Sequence, residues 1–284
     1  MTTVFWALEN IFDKVLVTDH TKNPFITVVL VNFIGLVLLL PIALVFGLAI
    51  PKLDILLFYA MAILLWLLAI WLYFKAVQEG EASRVITAFN IIPFFVLFFA
   101  VFLLGETVSS AQFVGIVFLV SGAILVSLKK SKHSLVRKWI LFVVISAALF
   151  GLDTIITKHL LLSVDWLSLL VWRSIITCGF FVIAMPFYYK TLKAVIKKPK
   201  TIALAVSSES SSLIGRGFLY IALSIESASL VYALTSVQPF FVLLMAIACT
   251  KLFPKFLKEE IDTEHIAIKI IAVVLAVVGA IMLA

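Results

Sequence analysis

One stretch of this chain occurs twice. Residues 82–97 read ASRVITAFNIIPFFVL and residues 228–243 read ASLVYALTSVQPFFVL, so 8 of 16 positions coincide without a gap, 146 residues apart. Both copies lie in long apolar runs, and each carries a proline at the same place, Pro93 and Pro239. A membrane unit used twice, with a proline interrupting the same helix in each copy, builds a transporter around a site between its halves.

Composition sets the solvent. The 284 residues are 64% hydrophobic and 13% charged, about half the charge of a soluble domain. No aqueous core needs so much apolar surface, so the chain is an all-α integral membrane protein with the lipid bilayer as its partner. Few segments alternate as barrel strands do. The net charge of +7 sits in short connecting loops, where topology explains it better than nucleic acid does. Cys178 and Cys249 stand alone in apolar runs and read as small core residues. The four histidines form no metal constellation, and no cofactor motif is found.

Apolar runs of about 20 residues cover 24–50, 54–77, 82–104, 108–128, 139–162, 165–189, 201–223, 227–253 and 265–284. Basic loops occupy 129–138 and 190–200, and a charged linker 254–264. The opening run, 1–17, is short and carries Glu9, Asp13 and Lys14. Laying Trp6 on Phe150 puts Glu9 on Asp153 and Lys14 on Lys158. A first helix, real but shortened, follows from that alignment; an upstream start or a half-length helix accounts for it. A signal peptide is not expected, because the start is not basic and lacks a small-residue cleavage site. The expected architecture is ten transmembrane helices in two five-helix units, 1–130 and 131–284. Five is odd, so the second unit enters from the opposite side and the repeat is inverted.

Ala82 and Ser83, then Pro93, Gly105 and Glu106, and Gly115 and Gly122 resemble the EamA repeat of the drug/metabolite transporter superfamily. The second half keeps Ala228, Ser229 and Pro239. It also keeps Ala272 and Gly279 at the seven-residue spacing of Gly115 and Gly122, but lacks the Gly-Glu turn. The resemblance implies a ten-helix secondary transporter, often an exporter of metabolites or drugs. It also implies that both termini are cytoplasmic. Small multidrug exporters of the superfamily are similar in using a first-helix Glu to carry protons.

Charge inside a membrane is costly, so each such residue is a functional candidate. Glu9 and Asp153 could load and release a proton; pairing with Lys14 and Lys158, or solvation near a helix end, is the structural alternative. The run Ser207–Ser212 around Glu209, followed by Arg216, must face the bundle interior. It reads as a polar wall of a substrate path or as a close-packed seam. Glu209 and Arg216 are seven apart and are expected to share a face without touching. Arg173 and Asn32 fall at corresponding places, with Arg173 either holding an anionic substrate group or pairing with Glu209 or Asp153. Ser83, Thr87 and Asn90, and Tyr232, Thr235 and Gln238, precede the two prolines, which free the carbonyls of Phe89 and Thr235. They form either a cavity lining or a locally bonded kink. Trp66, Trp71, Tyr73 and Lys75 read as an interfacial belt, with an aromatic cage for a cation as the alternative.

The expected function is secondary transport, as a plasma-membrane exporter of a small polar or zwitterionic metabolite or drug by alternating access, with a proton as the candidate coupling ion. A flippase for a lipid-linked intermediate is the runner-up. A scaffold or enzyme subunit is the rival of another class; it has no use for Glu9, Glu209 and Arg216 in the membrane. No nucleophile–base pair or phosphate loop points to an enzyme. Orientation is contested. Basic residues crowd the odd-numbered connections, which places those loops in the cytoplasm and both termini outside, opposite to what the resemblance implies.

Overall fold

The computed structural model of the chain describes residues 1–80, 85, 88–105, 109–127, 138–235, 238–252 and 263–283. The first half holds α1 (Thr2–Val15), α2 (Pro24–Phe46), α3 (Leu56–Glu79), α4 (Ile92–Leu104) and α5 (Ser110–Ser127). The second half holds α6 (Lys138–Leu160), α7 (Trp166–Ala184), the short α8 (Tyr189–Ile196), α9 (Pro199–Ile225), α10 (Ala228–Thr235), α11 (Gln238–Leu252) and α12 (Thr263–Leu283). Among the described residues there is no strand.

Local chemistry sets the boundaries. α1 runs into a π-helical turn, Leu16–Thr21, which ends at Lys22 in the left-handed region (φ 55°). Asn23 then caps α2, its Oδ1 accepting from the backbone N–H of Phe25 (3.0 Å) and Ile26 (3.4 Å), with Pro24 in the first helical position. α2 ends at Gly47 and α4 at Gly105, with φ of 74° and 70°, a conformation glycine adopts without a Cβ penalty. Asp165 caps α7 through Ser168 N–H (2.9 Å). Burial would raise its pKa, but the hydrogen bonds from Ser168 outweigh that and hold it below the ordinary aspartate value.

Four helices among the described residues are long and apolar enough to cross a membrane: Pro24–Phe46, Leu56–Glu79, Lys138–Leu160 and Trp166–Phe187. Ile92–Leu103 and Ile270–Met282 are apolar but shorter. The 27 residues of α9 reach about 40 Å at helical rise, longer than the hydrocarbon core, although serine and charge interrupt their apolar character. Four of the ten apolar runs are thus full-length apolar helices, and another is the long, polar α9. A short 3₁₀ turn, Phe89–Ile91, precedes Pro93 at the start of α4; in the second copy α10 ends before Pro239 and α11 contains it, and the residues between these two helices lie outside the described set.

The packing survives an exchange of halves. α1 packs on α9 as α6 packs on α3, and α11 packs on α1 as α4 packs on α6. The pairs α2–α7 and α5–α12 map onto themselves. Small residues allow close approach at two of these seams. A Cβ on Gly122 of α5 would stand 2.8 Å from the carbonyl oxygen of Ala272 in α12, and one on Gly151 of α6 would stand 2.8 Å from Phe95 Cβ in α4. Large apolar side chains such as Leu44 (85% exposed) and Ile183 (81%) turn outward, as a lipid-facing surface requires.

Two lysines repeat one contact in both halves. Lys14 Nζ donates to the carbonyls of Val77 and Gly80 at the end of α3, both at 2.6 Å. Lys158 Nζ donates to those of Leu223 and Glu226 at the end of α9, both at 2.6 Å. A cation there satisfies carbonyls left over at a helix C-terminus and opposes its partial negative charge. This corrects the expectation that the two lysines pair with Glu9 and Asp153.

Candidate functional site

α1 sends three polar side chains along one face, because residues three and four apart share a face. They are Glu9, Asn10 and Asp13. All three border a cavity of about 150 Å³ between the halves. Tyr73 of α3 stands beside them, its hydroxyl 2.6 Å from Asn10 Oδ1 and 3.0 Å from Asp13 Oδ2. From the other half, Ser208 of α9 donates to Asp13 Oδ1 at 2.5 Å. Ser212, one turn further, faces the Glu9 carboxyl. The serine run thus turns one face inward: Ser208, Glu209, Ser211 and Ser212 are buried, while Ser207 is exposed.

Glu209 and Arg216 also line this cavity, and they do touch: Arg216 Nη2 donates to Glu209 Oε1. The long guanidinium arm spans two helical turns, so the expectation that they share a face without contact is corrected. Gly35 of α2 makes room for the pair, since a Cβ there would lie 2.5 Å from Glu209 Oε1. The Arg216 guanidinium lies over Trp66 at 5.6 Å from the ring centre. Trp6 completes this wall and rests on Gly215, where a Cβ would stand 2.6 Å from the indole.

Tyr232, Thr235, Gln238 and Pro93 all border the same cavity. Thr235 Oγ1 donates to Tyr232 O at 2.7 Å. Ser83 and Thr87 lie outside the described residues, as does the side chain of Asn90.

Asp153 lies apart, in an adjoining recess with Phe150, Tyr220 and Tyr232. Arg173 Nη2 binds it with both carboxylate oxygens, at 2.9 and 3.2 Å, and Arg173 Nη1 donates to Thr157 (2.8 Å) and Tyr220 (3.0 Å). Of the roles expected for Arg173, pairing with Asp153 is the one found. Asn32 joins neither group. Its amide donates to Val28 O at 2.7 Å, and its own carbonyl accepts from Cys178 Sγ at 3.4 Å.

Asp13 and Asn10 are the site members that sequence reasoning misses; Trp66 and Tyr73 it names only as a belt or, alternatively, an aromatic cage. Trp66 and Tyr73 face the cavity rather than a membrane interface, which corrects the belt reading for these two. Trp71 and Lys75 keep an outer pairing, with the ammonium 4.6 Å over the indole. The signal for Asp13 is its spacing of four from Glu9 on one helix face.

The comparisons with known proteins agree on the fold class. A family model described as the EamA-like transporter family matches residues 1–128 and again residues 137–284. The chain is 29% identical over 129 residues to Uncharacterized protein MJ1333.1 of Methanocaldococcus jannaschii, a stretch that is 45% of this chain and 92% of that one. A solved crystal structure superposes with a TM-score of 0.68 at 15% identity, covering 99% of this chain and 93% of the other. At that identity the likeness concerns the fold alone.

Proposed function

The chain belongs to the EamA-like transporter family, and we propose on that premise that it is a secondary transporter that moves a small polar metabolite or drug by alternating access. The family makes it a multi-pass membrane transporter of the drug/metabolite type. The finer reading rests on one observation: the polar cavity lies between two halves whose packing exchanges, with Glu9 and Tyr73 from one and Ser208, Glu209 and Arg216 from the other. In this reading the halves are residues 1–130 and 131–284, ten spans in all, related as an inverted repeat. Glu9, Glu209, Arg216, Tyr232, Thr235 and Gln238 line the substrate path, with Asp13 and Tyr73 added to the set. Where transport is proton-coupled, the coupling carboxyl is Glu9 or Asp13. Asp153 already has a guanidinium partner whose Nη2 meets both of its oxygens, and its charge is needed there. Export across the plasma membrane is the expected direction and place.

The basic loops 129–138 and 190–200 face the cytoplasm in this proposal, by the positive-inside rule. Lys158 supports it, because a lysine spent on a helix end leaves fewer loop cations on the opposite side. Purified protein in liposomes tests the transport reading. Counterflow of at least one amino acid, nucleobase or organic cation is expected, and is lost in Glu9→Gln. No flux of any panel member above empty liposomes defeats the proposal. Labelling of single cysteines in the two basic loops by an impermeant reagent on intact cells would reverse the orientation.

A further inference from the structure

We propose that the cavity binds a small organic cation: an ammonium on an apolar or single-ring body, with one hydrogen-bond acceptor beside the charge. This deepens the transport reading and rests on the same site.

Charge is the first ground. Three carboxylates, Glu9, Asp13 and Glu209, border the space. The cation that borders it with them, Arg216, is engaged by Glu209. In the adjoining recess, Asp153 and Arg173 neutralise each other. Lys14 and Lys158 turn their ammonium groups onto backbone carbonyls at helix ends. Among the described residues the balance of the cavity is acidic, and a desolvated acidic cavity selects a positive partner.

The second ground is independent of charge. Asn10 is 5% exposed, and its Nδ2 has no hydrogen-bond partner, while its Oδ1 is taken by Tyr73. Arg216 Nε is likewise buried without a partner. Both residues border the cavity. Unsatisfied buried donors are uncommon, and each calls for an explanation. An acceptor on a ligand supplies one, and it must lie close to the ammonium, because Asn10 and Asp13 are held by the same Tyr73 hydroxyl.

The walls give the third ground. Trp6, Trp66, Phe74, Phe89 and Phe150 surround the polar cluster. Trp66 already receives one cation, Arg216, over its face, and ring faces attract cations electrostatically. A volume of about 150 Å³ matches a benzene-sized body.

Binding to purified protein in detergent, read by tryptophan fluorescence and calorimetry, tests this apart from transport. Four one-ring probes suffice: 2-amino-1-phenylethanol, phenethylamine, phenylalanine and 3-phenylpropionate. The aminoalcohol is expected to bind best, phenethylamine about fivefold weaker for want of the acceptor, and the zwitterion and the anion at least tenfold weaker than the aminoalcohol. Asp13→Asn should weaken both amines by about tenfold. Asn10→Ala should weaken the aminoalcohol alone, bringing it to the level of phenethylamine. The ranking on the unaltered protein decides even where a variant fails to fold. Phenylalanine or 3-phenylpropionate binding as tightly as phenethylamine overturns the proposal, as does no binding by any probe. Amine binding without flux in liposomes would keep this inference and defeat the transport reading; zwitterion flux without amine binding would do the reverse.

Discussion

The two halves place polar residues at the same helical positions and use them differently. Glu9, Asn10, Asp13 and Lys14 on α1 stand 144 residues before Asp153, Thr154, Thr157 and Lys158 on α6. The lysines do one job twice. The carboxylates do not. Asp153 is closed by Arg173 from its own half, with Thr157 and Tyr220 on the same guanidinium. Glu9 and Asp13 look across to the serines of α9. The same scaffold position is thus a structural lock in one half and an acidic face on the cavity in the other. Equivalence of position fixes where a side chain goes; its function depends on what the facing helix supplies.

The comparison breaks most visibly at the lock. Arg173→Ala strands a buried carboxylate, and a loss of about 3–5 kcal/mol is expected, read as a fall in thermal unfolding temperature in detergent. Adding Asp153→Asn should recover much of it. Asp13→Asn keeps the shape but leaves Ser208 or Tyr73 facing an amide N–H, so a smaller loss than at the lock, about 1–3 kcal/mol, is expected, together with a fall in flux of about tenfold or more. Equal destabilisation by the two changes would erase the distinction between lock and open face.

A smaller effect is expected at Gly215→Ala, whose methyl would meet Trp6. Overpacking of this kind costs about 1–3 kcal/mol, and the displaced indole should show as altered tryptophan emission. Lys14→Ala and Lys158→Ala should cost about 1 kcal/mol each and should match one another; a clear inequality would mean that the two clamps are not equivalent.

The smallest effect sharpens the comparison by pH. Asn23 and Asp165 cap the corresponding helices α2 and α7, and alanine at either should cost about 1 kcal/mol. The Asp165 pKa is lowered in the fold, so its contribution is present above the unfolded value of about 3.9 and is lost as pH falls through the folded one. Unfolding titrations of Asp165→Ala against the unaltered protein should therefore converge at acid pH. Those of Asn23→Ala should stay apart, because an amide cap does not titrate.

Much of the fold is legible in the residues alone. Apolar length marks the runs, and the proline of the first copy, Pro93, marks the change from a 3₁₀ turn to α4. The alignment that puts Lys14 on Lys158 finds the matching clamps without revealing what they clamp. Less of the site can be read this way, because it depends on what no local pattern contains. Asp13 is hidden because its counterpart is Thr157, so a search for matching charges passes over it. Trp66 sits in the middle and Tyr73 near the end of an apolar helix; residue type leaves them between an interfacial belt and an aromatic cage, and only the facing helices decide. The reach of Arg216 to Glu209 is hidden too, because spacing along a helix measures Cβ positions, not the length of an arginine arm.

The lysine clamps have a mechanical consequence. Each joins the first and third long helices of a single half and so ties Glu9 and Asp13 to the helix that carries Tyr73. Ser208 and Arg216 lie on α9, which packs along α1 across the seam. In the alternating-access reading, a rocking of the halves would have to part the Ser208–Asp13 hydrogen bond that crosses this seam: the bond would act as a latch between the two sides of the cavity.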